Sequence, residues 1–306
     1  MLNQSSPTFG FVPSFEALPF FAEPMLTERR GKMVPFLSCG RIVRDLLKGN
    51  LTAGLVPMEI FIAEIFALPG ERQNWQIELF IHPGAMEMGV TDALWKVIQP
   101  AARRHTSPRW PTKLNIGIES QKSLTRHQFF AWLHRNAPDP QNIAVQFSML
   151  PMDLMLHGAK AGKIDAFIAP TPWAAHASFL GIAHVDEDFN SEPYPQKLIM
   201  VRRRGAENSF PNIEKVPMHL KFARMLLEEE DQLKLAVETM NSLGKPNLRS
   251  AEYLKCQVIH SQGAAACDTV ANRSLLVEAL LELEKVRSLP RSLKANEVTA
   301  GWLCGE

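Results

Sequence analysis

Cysteine is scarce in this chain of 306 residues: Cys39, Cys256, Cys267 and Cys304 lie far apart, and no C-x-x-C pair occurs. That spacing excludes a structural zinc ribbon and a redox dithiol, and is expected of reduced thiols in a cytoplasm. An excess of charge of either sign is also missing, with 33 basic against 32 acidic residues. A dedicated nucleic-acid binder carries a basic stripe, so direct nucleic-acid binding is not expected. The one basic run, Arg202-Arg203-Arg204, reads as a solvated strand end. No stretch approaches the roughly 18 uninterrupted apolar residues of a bilayer span. The opening, Met1 to Gly10, has neither a basic nor a continuous apolar region, and Glu16, Glu23 and Glu28 follow it. No secretory signal is expected in this numbering, which implies a cytoplasmic setting, or a periplasmic one if an upstream signal has been trimmed.

Catalytic and cofactor signatures are missing as well. The nine histidines are dispersed, and neither H-E-x-x-H nor a Cys/His metal spacing occurs. There is no G-x-S-x-G elbow, no G-x-G-x-x-G fingerprint and no Walker loop. His82, His127 and His157 read as helix-face or supporting histidines. The expectation is a binding protein without metal or cofactor, and with no catalytic dyad.

What the chain does have is an apolar fraction of 46%, enough for a packed globular protein of two domains. It also carries one short template twice. Gly49-Asn-Leu51-Thr-Ala53-Gly-Leu55-Val-Pro57 and Gly162-Lys-Ile164-Asp-Ala166-Phe-Ile168-Ala-Pro170 share glycine, alternating apolar residues and a closing proline. Each follows an amphipathic run, Arg41 to Lys48 or Met152 to Lys160. The glycine ends a helix in the left-handed region, the apolar alternation makes a short buried strand, and proline stops it. A helix–glycine–strand–proline unit in each half predicts two similar α/β lobes, with ligand held beyond the carboxyl ends of the strands.

Periodicity places strands at Phe9–Phe11, Met33–Leu37, Gln76–Ile81, Leu114–Ile118, Ala144–Phe147 and His184–Asp186, and Lys197–Val201 reads as the return crossing between lobes. Helices are expected from Ser14, over Gly40–Lys48, Met58–Phe66, Thr91–Ala102, Ser123–Asn136, Met152–Ala159 and Trp173–Leu180, and as one long helix over His219–Leu243. Shorter helices are expected at Ser250–Cys256 and Ser274–Arg287. Phe129, Phe130, Trp132 and Leu133 form the expected packing face of the Ser123–Asn136 helix. The stretch from Arg103 to Pro111, rich in Arg, His and Pro, reads as the crossover between lobes. The expected division is 1–103 with 200–306 as the first lobe and 104–199 as an inserted second lobe. Two crossovers between lobes favour hinged closure on a ligand.

The loops after the strands supply the candidate site. Ser14, Ser120, Thr125 and Thr171 offer hydroxyls, Trp173 a flat wall, and Lys197 a countercharge for an anion. Cys39-Gly40, Met58-Glu59, Gly84 and Gln121 lie in the same class of loop. Helix N-termini there are expected to offer free N–H groups to a small anion.

Residues Glu119 to Arg204 resemble the second lobe of the nitrate/bicarbonate-binding family of transporter solute receptors, which have the type 2 periplasmic-binding-protein fold. The resemblance rests on Ala131-Trp132-Leu133, on Lys160-Ala-Gly162-Lys-Ile164-Asp165-Ala166-Phe167, on Pro172-Trp173-Ala-Ala-His-Ala177 and on Tyr194-Pro195-Gln-Lys197-Leu198. Gly10-Phe-Val-Pro13 and Arg44-Asp45 through Pro57 fit the first lobe, His219 to Lys255 more loosely. It implies a two-lobed receptor for a small anion or small polar metabolite. Of the family's ligand positions, the lysine falls on Lys197 and the histidine near Thr125, with His127 two residues on. Its glycine falls near Pro170, its tryptophan near Gly40, and its glutamine near Ala85 or Met86. Cytoplasmic members without an export signal resemble nitrate or nitrite sensors that hold an RNA-binding antiterminator protein inactive. That branch implies a regulatory partner, whereas an exported receptor implies ABC-transporter subunits. Menaquinone-pathway enzymes acting on chorismate-derived or aromatic carboxylates share the fold, and would give Ser14, Glu16 or Glu59 a chemical role. Thiamine-pyrimidine synthases share it too, but their cysteine-rich motif is missing here.

Overall fold

The computed structural model describes residues 8–22, 31–66, 68, 70, 74–81, 86–99, 109–121, 123–190, 198–204, 216–244, 248–249, 269–270 and 280–281. In chain order the elements are β1 (Thr8–Phe11), β2 (Lys32–Pro35), α1 (Cys39–Leu47), β3 (Ala53–Pro57), α2 (Met58–Phe66) and β4 (Trp75–Ile81). Then come β5 (Met86–Val90), α3 (Asp92–Ile98), β6 (Lys113–Ile118), α4 (Thr125–Asn136), β7 (Ala144–Met149) and α5 (Met152–Lys160). They are followed by β8 (Ala166–Pro170), α6 (Trp173–Phe179), β9 (His184–Asp186), β10 (Leu198–Arg203), α7 (Val216–Leu226), α8 (Glu230–Asn241) and β11 (Thr269–Val270).

These elements fall into two compact units, one of Met1–Pro83, Pro195–Ser250 and Ser261–Glu306, the other of Gly84–Tyr194 and Ala251–His260. The first holds a sheet of order β11-β4-β10-β3-β1-β2, the second a sheet of order β7-β6-β8-β5-β9. The two share a plan. In the first, β1 pairs parallel with both β2 and β3, and β10 joins β3 antiparallel. In the second, β6 pairs parallel with both β7 and β8, and β5 joins β8 antiparallel. The template strands β3 and β8 thus occupy equivalent places in their sheets.

The turns before those strands are equivalent too. Gly49 has φ +77° and Gly162 φ +65°, the left-handed region. The N–H groups of Gly49 and Asn50 bond the carbonyls of Leu46 and Asp45 at 2.9 Å each. Those of Gly162 and Lys163 bond the carbonyls of Ala159 and Gly158 at 3.0 and 2.8 Å, the same ladder around the same corner.

Three expectations are corrected. The second unit begins at residue 84 rather than 104, because Met86–Val90 is a strand that periodicity did not reveal. Its register, Glu87 opposite Ala169 and Gly89 opposite Phe167, ties it to β8. The expected crossover lies outside the described residues apart from 109–111. The single helix over His219–Leu243 is instead α7 and α8, with Glu229 extended at φ −82°, ψ 124° between them. Four consecutive acids, Glu228 to Asp231, explain the break: they oppose the negative end of α7, while Glu230 and Asp231 favour the positive start of α8. Finally, Phe130 is exposed, and α4 packs instead through Phe129, Trp132 and Leu133 against β6 and β8. The helices expected at Ser250–Cys256 and Ser274–Arg287 lie outside the described residues, save 280–281.

Candidate ligand-binding site

In the second unit the chain leaves β6 for β7 on one side and, after crossing behind, returns as β8 on the other. The carboxyl ends of β6 and β8 therefore flank a topological switch point, where open α/β sheets hold ligands. Ser120 follows β6, and Thr171 and Trp173 follow β8, so the structure brings these sequence-derived candidates to one sheet edge. Thr125 opens α4 at the same edge.

The buried stripe of α4 reads Thr125, Gln128, Phe129, Trp132 and Leu133, the i, i+3, i+4, i+7, i+8 spacing of a core-facing helix. Its last three members are apolar and sit in the core; its first two, at the switch point, are polar. Thr125 is 2% exposed and Gln128 9%, and neither Thr125 Oγ1 nor Gln128 Oε1 has a hydrogen-bond partner. Thr171, 1% exposed, has the same deficit at Oγ1. Leaving a polar atom buried and unbonded costs about 1–3 kcal/mol. Arg126 Nε, one residue on from Thr125, is likewise buried and unbonded, so polar atoms of both kinds stand unsatisfied after these two adjacent strands.

Several backbone donors at this edge are already used. Glu87 on β5, 2% exposed, accepts N–H bonds from Ala174 and Ala175 at 3.2 and 3.3 Å through Oε2. Its carboxylate thus fills the start of α6, which the sequence suggested would be free for an external anion. In α4 the Thr125 N–H bonds Ser123 Oγ at 3.3 Å, and those of His127 and Gln128 bond the Leu124 carbonyl at 2.9 and 3.2 Å. Trp173 is 1% exposed, with its ring edge-on to His176 at 6.4 Å, and so lies within the unit's packing. Arg126, one residue from Thr125, holds its guanidinium 5.1 Å from the centroid of Phe147 on β7, away from β8. His127 is exposed; partial burial of its ring, and then the neighbouring Arg126 charge, lower its pKa.

In the first unit, Ser14 follows β1 and precedes a 3-10 turn at Phe15–Ala17 without capping it. Ser14 and Glu16 are each 4% exposed, and Glu59, after the neighbouring β3, is fully buried. Gly40 lies in the first turn of α1 and Met86 at the start of β5. Lys197, with His82, Gly84 and Ala85, lies outside the described residues.

Two motifs prove structural. Asp165 Oδ2 accepts the Asn115 N–H at 2.7 Å, and its carbonyl accepts both the N–H and the hydroxyl of Thr91 at 2.9 Å. Phe167 lays its ring over Gly89, where an added Cβ would meet ring carbon at 2.3 Å. Asp-Ala-Phe therefore locks β8 to β6 and β5. Arg202 is not solvated: it is buried and ion-paired through Nε with Glu78 Oε1 at 2.6 Å. Arg203 lies 5.8 Å from the Trp75 ring centroid. Sequence reasoning missed Gln128 and Glu87. Gln128 had a signal, a polar residue at a stripe position; Glu87 had none, because its strand carries no regular alternation.

A model of the NMT1-like family matches residues 3–240 of the chain. No curated protein matches it by sequence. Among solved structures, it is similar to the periplasmic nitrate-binding protein NrtA from Synechocystis PCC 6803, with TM-score 0.66, 12% identity, and 97% of this chain and 85% of that one covered. The alkanesulfonate-binding protein SsuA from Xanthomonas axonopodis pv. citri, bound to MOPS, gives TM-score 0.64 and 14% identity over 95% of this chain and 96% of that one. A Candida albicans protein described as having the generic periplasmic binding protein fold gives TM-score 0.56 and 11% identity over 96% and 95%. At these identities the likeness establishes the fold, and the expected periplasmic-binding-protein architecture is borne out.

Proposed function

Because the chain belongs to the NMT1-like family, we propose that it is a solute receptor whose small polar ligand sits at the carboxyl ends of β6 and β8. The observation that carries this reading is the group of buried, unbonded polar atoms there: Thr125 Oγ1, Gln128 Oε1 and Thr171 Oγ1. A polar ligand that bonded these atoms would offset the cost of burying them. Ser120 completes the edge. The neighbours' ligands, nitrate and an alkanesulfonate, support a small solute as the size class.

Ligand preference for one conformer is what a partner would read. In a cytoplasmic setting that partner would be an antiterminator-type regulatory protein and the receptor a sensor; in an exported setting, ABC-transporter subunits. Cell fractionation of the full chain separates the two. The receptor itself is tested by thermal unfolding against nitrate, nitrite, bicarbonate, alkanesulfonates, chorismate, aromatic carboxylates and small amines and amides. A true ligand at ~100 times Kd adds roughly 2.7 kcal/mol of stability. Absence of any concentration-dependent shift across the panel would contradict the reading.

A further inference from the structure

We infer that the second unit carries a further site, for a small organic cation, where the ends of α3 and α4 meet the edge strand β9. A cavity of about 380 Å³ opens there, within the roughly 300–1,000 Å³ span of ligand pockets. None of Ser120, Thr125, Gln128 and Thr171 lines it, so it is separate from the ligand site proposed above. Its apolar wall is Trp95 and Ile98 of α3 with Val185 of β9. The His184 ring stacks on Trp95 at 5.0 Å and holds the indole in place. Such a wall suits a cation with an apolar body, which gains from the ring's charge distribution and from its area. The polar wall is of one sign. Asp186, Glu187 and Asp188 all border the cavity, and no basic residue does. The nearest basic residues in the chain, Lys96 and Arg135, are exposed, and Arg135 donates to the Asp188 carbonyl at 3.5 Å. Among the described residues none of the three carboxylates is in an ion pair. The last residues of both helices, Ile98 and Asn136, also border the cavity and bring the negative ends of two helix dipoles to it. Burial, and then the Asp188 charge, raise the pKa of Asp186, in keeping with negative charge gathered without a counterion. Yet no group of three His, Cys, Asp or Glu side chains among the described residues could hold a metal ion. A bare ion would leave the cavity unfilled, whereas an alkylammonium ion meets both the indole and the acids.

Isothermal titration of the full chain with butylammonium, against butyrate and Ca²⁺, tests this. Saturable binding of butylammonium and none of butyrate is expected. Added salt should weaken the binding, because Glu187 and Asp188 are exposed to solvent. Trp95→Leu is expected to weaken it about fivefold, the scale of one cation–π contact. Glu187→Gln combined with Asp188→Asn, both at exposed positions, is expected to weaken it by about as much without disturbing the fold. Thr171→Val, at the other site, is expected to leave it unchanged. Circular dichroism of each variant establishes that it folds. Silence of butylammonium would overturn the inference, as would binding that neither Trp95→Leu nor the double change weakens. Binding that Thr171→Val weakens would move the cation to the ligand site and overturn the inference equally. Ca²⁺ binding that the double change abolishes, with butylammonium silent, would reduce the cavity to a metal-binding acidic turn.

Discussion

Buried charge in this protein is handled differently at each position. Arg202 and Glu78 are paired within the first unit's sheet, each nearly out of water. Glu78→Gln leaves the guanidinium without its counterion, and a loss of about 3–5 kcal/mol in urea unfolding is expected. Asp186 is the contrasting case. It accepts the Trp132 indole N–H at 3.2 Å and the Asp188 N–H at 3.0 Å, yet burial, and then the neighbouring Asp188 charge, raise its pKa. The folded state thus holds this proton more tightly than the unfolded chain. Its contribution is fully present below the ordinary carboxylate value of 3.8 and is lost as pH rises through the raised value. Asp186→Asn, which keeps a carbonyl for Trp132, is expected to flatten the fall in stability over that window, measured by urea titration at stepped pH.

The elements were largely legible because their signals are local. Alternation in Trp75–Ile81, the stripe of α1 and the two template glycines each report on a few neighbouring residues. Gly162→Ala forces a side chain into the left-handed region, and a loss of about 1 kcal/mol is expected by chemical denaturation. Gly89→Ala should cost more, about 1–3 kcal/mol, because the new methyl must displace the Phe167 ring. What escaped the sequence was decided at a distance. The strand Met86–Val90 is buried over four of its five residues, and only its pairing with β8 and β9 defines it. The same holds for the site: Thr125 and Thr171 were recognisable as loop hydroxyls, but that each lacks a partner is a fact of packing, and Glu87 reaches α6 from 87 positions away in the chain.

At the scale of the whole molecule, the two units repeat one five-strand plan, and in each the antiparallel fourth strand comes from outside the unit's own run of three parallel strands: β10 in the first, β5 in the second. That arrangement makes a sharp prediction about boundaries. A fragment of residues 84–194 contains every strand of the second sheet and is expected to show cooperative thermal unfolding. A fragment beginning at 104 lacks β5, exposes the side of β8 and loses Glu87 from the start of α6; it is expected to aggregate or remain unfolded. The repeat itself was visible in the sequence as the paired templates, since each marks the same corner of the same plan.

The most direct measurement is the stability of a Thr125→Val, Thr171→Val double variant, compared with the parent chain with and without a ligand found by the thermal screen. Valine fills the same space as threonine without a hydroxyl to satisfy. If these hydroxyls are held in reserve for a ligand, the variant is more stable than the unliganded parent, by about 1 kcal/mol or more, and no longer responds to the ligand. A variant that is less stable than the parent and keeps its full ligand response would contradict the site.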